Sequence, residues 1–333
     1  MKETPVGFDI PDNKKIRVII DTDAACEADD PFAIVQGLLS PKLIVHGIIA
    51  EHFAQPHSME DSFAEILTIT ELTDMDVPVF KGQRGPLSDD SDTSEGVAHI
   101  IKEALSDDKK PLFILCQGAI TNVAKAIETC PDITKRMTVI WIGTHGEAPC
   151  TAPFREFNAG NDIDAANLIL TSGTDLWLVP SQVYTTITIG IAEIKRRISC
   201  CGAIGKHLYE NLMNYNFSEG AGWTQGESWS LGDSPAIALA INPGCGHYKM
   251  IPAPHIAEDT SSVPGGENQM IRLYTDVDSR YVIEDLIAKL ELASLIGGFL
   301  LKQHGFGTIN EHKPIKTIEK GTGNDRKTRN IKS

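Results

Sequence analysis

The densest chemistry in this sequence lies just after its first apolar run. The stretch IIDTDAACEADDPFAI (residues 19–34) places Asp21, Asp23, Glu27, Asp29 and Asp30 within ten residues. In an extended segment, Asp21 and Asp23 are two apart and point to the same side. Asp29 and Asp30 stand just before Pro31, a residue suited to a helix's first turn. Asp30 is then a natural N-cap, and both carboxylates gain from the helix's positive end. Taken singly, each Asp reads as a cap or a solvated loop charge. As a group they repel one another unless something neutralises them, and a divalent cation is the obvious agent. Oxygen-only ligands favour a hard ion such as Ca²⁺ or Mg²⁺ over Zn²⁺.

The elements that must position these residues are short apolar runs alternating with helical patterns. Residues 16–20, 44–50, 111–116, 138–142 and 176–179 read as buried strands, β-branched or aromatic-rich and bounded by polar residues. Helical patterns fall at 31–39, 58–72, 94–106, 121–129 and 163–171. The alternation predicts an α/β fold, an open and mostly parallel sheet with helices on both faces. In such sheets ligands bind outside the carboxyl ends of the strands. The residues following the strands are Asp21, Asp23, Asp29 and Asp30; Glu51 and His52; Gln117 to Asn122; and Thr144 and His145. That collection is polar, acidic and rich in possible ligands. Beyond 180 the pattern predicts a long helical stretch (191–217), a Gly/Ser/Trp-rich loop (221–235) running into a short helix, a strand (270–275) and a last helix (282–302).

Composition narrows the classes. The 333 residues carry 41% hydrophobic and 23% charged residues, ordinary values for a globular chain. The formal charge of −15 argues against nucleic acid as a partner, because phosphate binding needs clustered Lys and Arg. No apolar run reaches a bilayer span and residues 1–15 contain no signal-like apolar segment, so no membrane partner and a cytoplasmic location are expected. The seven cysteines include no C-x-x-C pair and fit a reduced chain, Cys116 as a packing residue. One domain over 1–311 is expected, with a polar, disordered tail over 312–333.

The acidic stretch also resembles the signature of the inosine–uridine-type nucleoside hydrolases, in which D-T-D is followed by D-D and an apolar helix. Three further segments match in order: QGAITNVAKAI (117–127), EFNAGNDIDAAN (156–167) and LGDSPAIAL (231–239). IRLYTDVDSRYVIEDL (271–286) is similar to the family's closing strand and helix. The resemblance implies a ribohydrolase that cleaves the N-glycosidic bond of a ribonucleoside with a Ca²⁺-bound water. By position it implies Asp23, Asp30 and Asp233 as Ca²⁺ ligands with the backbone carbonyl of Gln117, and Asp29 as general base. Glu156 and Asn158 would bind ribose hydroxyls, and Asp21 would support the ligands from behind. A homo-oligomer, dimer or tetramer, is a further implication.

Three features depart from the family pattern. Five residues (AACEA) separate Asp23 from Asp29 where three are usual, which adds Glu27 as a possible ligand and brings Cys26 near the site. Gly232 stands where the family has a His that protonates the leaving base, leaving His52, His145 and Glu227 as candidates, with Trp223 and Trp229 to stack on a base. Cys150 stands six before Glu156, where the family has an Asn contacting the ribose. Two other readings use the same residues. A haloacid-dehalogenase-type phosphohydrolase also places D-x-D after its first strand, but leaves Asn158 and Asp233 unexplained. A nucleoside-binding protein without turnover would keep the metal and ribose residues.

Overall fold

The structure, a computed structural model, describes residues 4–88, 92–265 and 269–303. The expected strands form as β1 (Ile16–Thr22), β2 (Leu43–Ala50), β4 (Leu112–Cys116), β5 (Thr138–Ile142) and β6 (Asp175–Val179), and β3 (Val79–Lys81) adds an edge. Two short strands, β7 (Thr188–Gly190) and β8 (Ser228–Ser230), pair with each other, as do β10 (His255–Ile256) and β11 (Ser262–Val263). With β9 (Gly246–Pro252) and β12 (Met270–Val277), the main sheet has eight strands in the order β3-β2-β1-β4-β5-β6-β12-β9. Every pair in it is parallel except β12 with β9.

The sheet is covered on both faces, which is why its central strands are apolar throughout rather than alternating. All seven residues of β1 are buried. Val18 and Ile20 join the core under α1 (Asp30–Leu38), and Ile19 joins the core on the other face. The helices that follow in the chain are α2 (Ser58–Thr73), α3 (Glu95–Leu105), α4 (Thr121–Thr129), α5 (Phe157–Asn161) and α6 (Ile163–Thr171). Then come α7 (Ser181–Tyr184), α8 (Ile191–Glu193), α9 (Gly202–Asn216), α10 (Ser234–Ile241) and α11 (Ser279–Gln303). Helices α1, α10 and α11 pack together on the first face, and α3, α4 and α6 on the second.

Strand order reverses between β1 and β4. From β1 the chain moves outward to β2 and β3, then returns to β4 and moves the other way through β5 and β6. A crevice forms where two crossovers leave in opposite directions, so the carboxyl ends of β1 and β4 mark the place to look for a site.

The structure departs from the sequence reading in several places. The stretch 191–217 is not one helix: α8 runs into a π-turn at Ile194–Ile198, and the chain breaks before α9 at Gly202, whose φ of +71° suits glycine. The Gly/Ser/Trp-rich loop contains β8. Strand β9 was missed because it is largely exposed at the sheet's edge and so lacks an apolar run. The last helix starts at Ser279, three residues earlier than read. The tail expected over 312–333 lies outside the described residues. No helix among the described residues is long and apolar enough to cross a membrane.

Candidate active site

Two helices begin over the switch point with the same device. At α1 the sequence is Asp29-Asp30-Pro31, and at α10 it is Asp233-Ser234-Pro235; each helix carries proline early in its first turn. Proline has no N–H to be capped, and neither Asp29 nor Asp233, at the two N-cap positions, makes a side-chain cap bond. The expectation that Asp30 caps α1 is therefore corrected. The helix starts at Asp30, whose carboxylate accepts a hydrogen bond from the Thr22 hydroxyl instead. Freed from capping, the carboxylates face one another. Ligand oxygens of Asp29, Asp30 and Asp233 lie within 4.8 Å of one another at the two helix starts, the three carboxylates buried.

These residues line a cavity of about 90 Å³ together with Asp23, Glu27 and Gln117. Cys26, Ile142, Phe157, Asn158, Tyr184 and Gly232 complete the lining, which among the described residues includes no Lys, Arg or His. The spacer turns back sharply, with Cys26 N–H donating to the Asp23 carbonyl at 2.7 Å. That turn brings Cys26 and Glu27 to the wall.

The electrostatics are those of acids crowded out of water. Burial pushes Asp29 up to about 6, and Asp30 to about 7 with help from the Asp29 charge. Burial and then Asp29 lift Glu27 to about 8. Asp23 and Asp233 are held well above the usual carboxylate range, first by burial and then by the neighbouring aspartates. The Cys26 thiol is raised by the same two causes and stays neutral. Among the described residues, Asp23 Oδ2 and both polar side-chain atoms of Gln117 have no hydrogen-bond partner. Buried carboxylates with an unmatched oxygen, beside a thiol held neutral and with no Lys, Arg or His among the described lining residues, fit a hard divalent ion.

Behind the cavity a second polar network holds the strand ends in register. Asp21, 1% exposed, accepts from Asn122 Nδ2 at 2.8 Å, and Asn122 Oδ1 accepts from Gln83 N–H at 2.7 Å. Asn122 N–H also points to Glu51 at 3.3 Å, so α4 ties together β1, β2 and the loop after β3. Trp141 Nε1 donates to the Gly118 carbonyl at 3.0 Å and fixes the turn between β4 and α4. Ile120 (φ +66°) and Thr144 (φ +62°) follow the ends of β4 and β5 in a left-handed conformation unusual for β-branched residues. Such strain persists where the surroundings over-determine the backbone, as they do here.

On the other wall, Asn158 Nδ2 donates to the Ile142 carbonyl at 2.9 Å and leans toward the Gln117 carbonyl at 3.4 Å. Glu156 is fully buried. One of its oxygens caps α5 by accepting from Ala159 N–H at 2.8 Å, and the other accepts from the Tyr184 hydroxyl at 2.8 Å.

The base-side candidates do not converge on the cavity. His52 Nε2 bonds the Thr121 hydroxyl at 2.8 Å and its Nδ1 accepts from Ala54 N–H, so both ring nitrogens are engaged. His145 donates from Nε2 to the Phe154 carbonyl and accepts at Nδ1 from the Ser181 hydroxyl, both at 2.8 Å. Neither ring lines the cavity. Trp229 is buried against Tyr215 and 5.4 Å from the half-exposed Trp223. Burial, then Glu27 and Cys26, raise the Tyr215 hydroxyl of this cluster. Glu227 is exposed, its carbonyl held by Ile191 N–H. Cys150 sits in a backbone bridge with Ser262, outside the lining. Tyr184, Phe157 and Ile142 are lining residues that the sequence reading did not single out. Tyr184 lies beyond the carboxyl end of β6, but no pattern in SQVYTT marks it out.

The open, mostly parallel sheet is shared with solved nucleoside hydrolases. A plant nucleoside hydrolase, PpNRh1, superposes with a TM-score of 0.68 at 20% identity, covering 83% of this chain and 99% of that one. A purine-preferring ribonucleoside hydrolase from Gardnerella vaginalis gives 0.69 at 20% identity, covering 84% and 99%. The chain belongs to the inosine-uridine preferring nucleoside hydrolase family, whose model matches residues 18–284. Among curated relatives, the pyrimidine-specific ribonucleoside hydrolase RihB of Escherichia coli is 23% identical over 261 residues, 69% of this chain and 80% of the relative. The protein is thus a hydrolase of N-glycosidic bonds from a metal-dependent family. The phosphohydrolase reading of D-x-D falls with that match.

Proposed function

We propose that the chain hydrolyses ribonucleosides to free base and ribose with the aid of Ca²⁺. The observation that carries this is the buried Asp29–Asp30–Asp233 group, in a lining that offers no protein cation to balance it. Asp23, Asp30 and Asp233, with the Gln117 carbonyl, would hold the ion. Bound there, Ca²⁺ supplies Lewis acidity that brings the pKa of water within reach of a carboxylate base, and open coordination positions for a sugar diol.

The remaining work falls to the protein's own groups. Asp29 accepts the proton of the attacking water, and its raised pKa makes it a better base than a solvated aspartate. The positive charge that develops at C1′ is stabilised by the surrounding carboxylates, fixed by burial before the substrate arrives. Asn158, anchored between two strand-end carbonyls, orients the Gln117 oxygen and presents its own amide oxygen to the sugar. No histidine lines the cavity, so base departure depends on how far this field stabilises the oxocarbenium ion.

Residues 1–311 are read as one domain, on the ground that a single eight-stranded sheet takes its strands from both ends of the described chain, β1 at Ile16–Thr22 and β12 at Met270–Val277. A homo-oligomer follows from the family resemblance, and light scattering against the 36.2 kDa chain mass checks it. Product analysis tests the activity. Incubation with inosine, guanosine, adenosine, uridine and cytidine should release a free base and reducing sugar from at least one of them. Phosphate release from nitrophenyl phosphate, with every nucleoside untouched, would overturn the reading.

A further inference from the structure

The resemblance assigns a ribose hydroxyl to Glu156, but the structure engages both of its oxygens within the protein and gives it no place in the cavity lining. It is fully buried, one oxygen is spent on the Ala159 N–H, and the other is covered by the Tyr184 hydroxyl. Glu156 does not line the cavity, whereas Tyr184 does. The geometry points to Tyr184 as the residue that meets a sugar hydroxyl of the substrate, with Glu156 fixing it from behind.

The chemistry sets what Tyr184 can bind. A phenol has one proton, and this one is committed to Glu156, so only lone pairs remain for the cavity. It must accept, and a ligand O–H is the partner it selects, in preference to a carbonyl or an anion. The environment keeps the proton in place: burial, then Glu156, hold the phenol well above its ordinary range, with Asp233 and Glu27 adding to the effect. Tyr184 is therefore a binding group and no acid.

Gly232 belongs to the same arrangement. A Cβ at 232 would stand 3.2 Å from Tyr184 Cδ2 and 3.2 Å from Asp29 Oδ2, closer than side chains normally tolerate. The tyrosine ring thus lies against the space a side chain at 232 would take, and the glycine is what lets ring and Asp29 sit side by side.

This inference rests on the cavity being a ribonucleoside site, and the test separates the two. Calcium-loaded Asp29→Ala and Asp29→Ala/Tyr184→Phe chains are titrated calorimetrically with inosine, uridine and their 2′-, 3′- and 5′-deoxy analogues. For one position, removal of the hydroxyl should weaken binding to Asp29→Ala by about tenfold, and Tyr184→Phe should shrink that ratio to about twofold or less. The other two ratios should not change. Should Tyr184→Phe not fold, Gly232→Ala, which displaces the ring, should shrink the same ratio. A purely structural role for Tyr184 would lower every affinity by one factor and leave all ratios intact, and that result overturns the inference. Failure of Asp29→Ala to bind either parent nucleoside also overturns it. Ribose release by the unmodified chain is read separately: a Tyr184-dependent ratio without release would sink hydrolysis and keep the contact.

Discussion

Asp29 and Asp30 are neighbours in the chain, and the proposed reaction gives them different jobs because a helix starts between them. Asp30 opens the helix and is tied to Thr22, Asp29 stands at the N-cap beside Gly232, and both carboxylates reach Asp233. The division is testable by substitution. Asp29→Ala should keep its Ca²⁺ affinity within a few-fold and lose about 10³-fold or more in kcat, the scale of general-base catalysis. Unchanged turnover would remove Asp29 from that role. Asp233→Asn should act the other way, raising the Ca²⁺ concentration needed for half-maximal rate by about tenfold or more while leaving a measurable rate at saturating ion. These carboxylates were readable in the sequence because five acids in ten residues have few other physical explanations. Tyr184 was not: one tyrosine in SQVYTT carries no pattern, and its meaning comes from Glu156, which lies 28 residues away. The histidines misled for a related reason. Each follows a strand end, but each ring is consumed by local hydrogen bonds that periodicity does not reveal.

At the scale of elements, the site depends on how α4 fastens the strand ends. Asn122, in its first turn, serves Asp21 and the Gln83 backbone with its side chain. Its removal leaves a buried carboxylate and a buried N–H without these partners. Asn122→Ala should therefore cost about 2–3 kcal/mol in urea unfolding, the range for stranding buried polar groups. A loss below about 0.5 kcal/mol would show that the network is not holding β1 to α4. The parallel strands were legible because burial on both faces writes a continuous apolar run. Strands β3, β7 and β8 have only three residues each, and β9 is exposed along one edge, so none of them writes one. The kinked 191–217 segment shows a further limit. Its composition is helical throughout, and only the π-turn and the positive φ at Gly202 divide it.

The whole molecule shows the cost of holding this pocket. In the metal-free chain, the folded state raises Asp29, Asp30 and Glu27 to about 6, 7 and 8, while unfolded carboxyls titrate near about 4. Raised pKa values mean that the folded form binds more protons. Their contribution to stability is full below about pH 4 and is lost as the pH climbs through about 6 to 8. A bound cation favours the ionised carboxylates and reverses the sign. The increase in Tm on adding Ca²⁺ to chelator-treated protein should thus be larger at pH 8 than at pH 5, as read by differential scanning calorimetry. An increase that is equal at both, or larger at pH 5, would mean that the cluster is not where the ion binds. The net charge of −15 adds general repulsion at high pH, but mutation confines the effect: Asp30→Asn should remove most of the pH-dependent difference.

The central claim is that N-glycosidic cleavage runs on an ion held by this cluster, and one measurement meets it directly. Ribose release from the best nucleoside substrate is followed before chelation, after chelation, and after Ca²⁺ is returned, in the unmodified chain and in Asp29→Ala. Release should stop with chelation and recover with Ca²⁺ in the unmodified chain, and stay about 10³-fold lower or less in the variant under all three conditions. Release that continues undiminished in chelator, or that survives in Asp29→Ala, would contradict it.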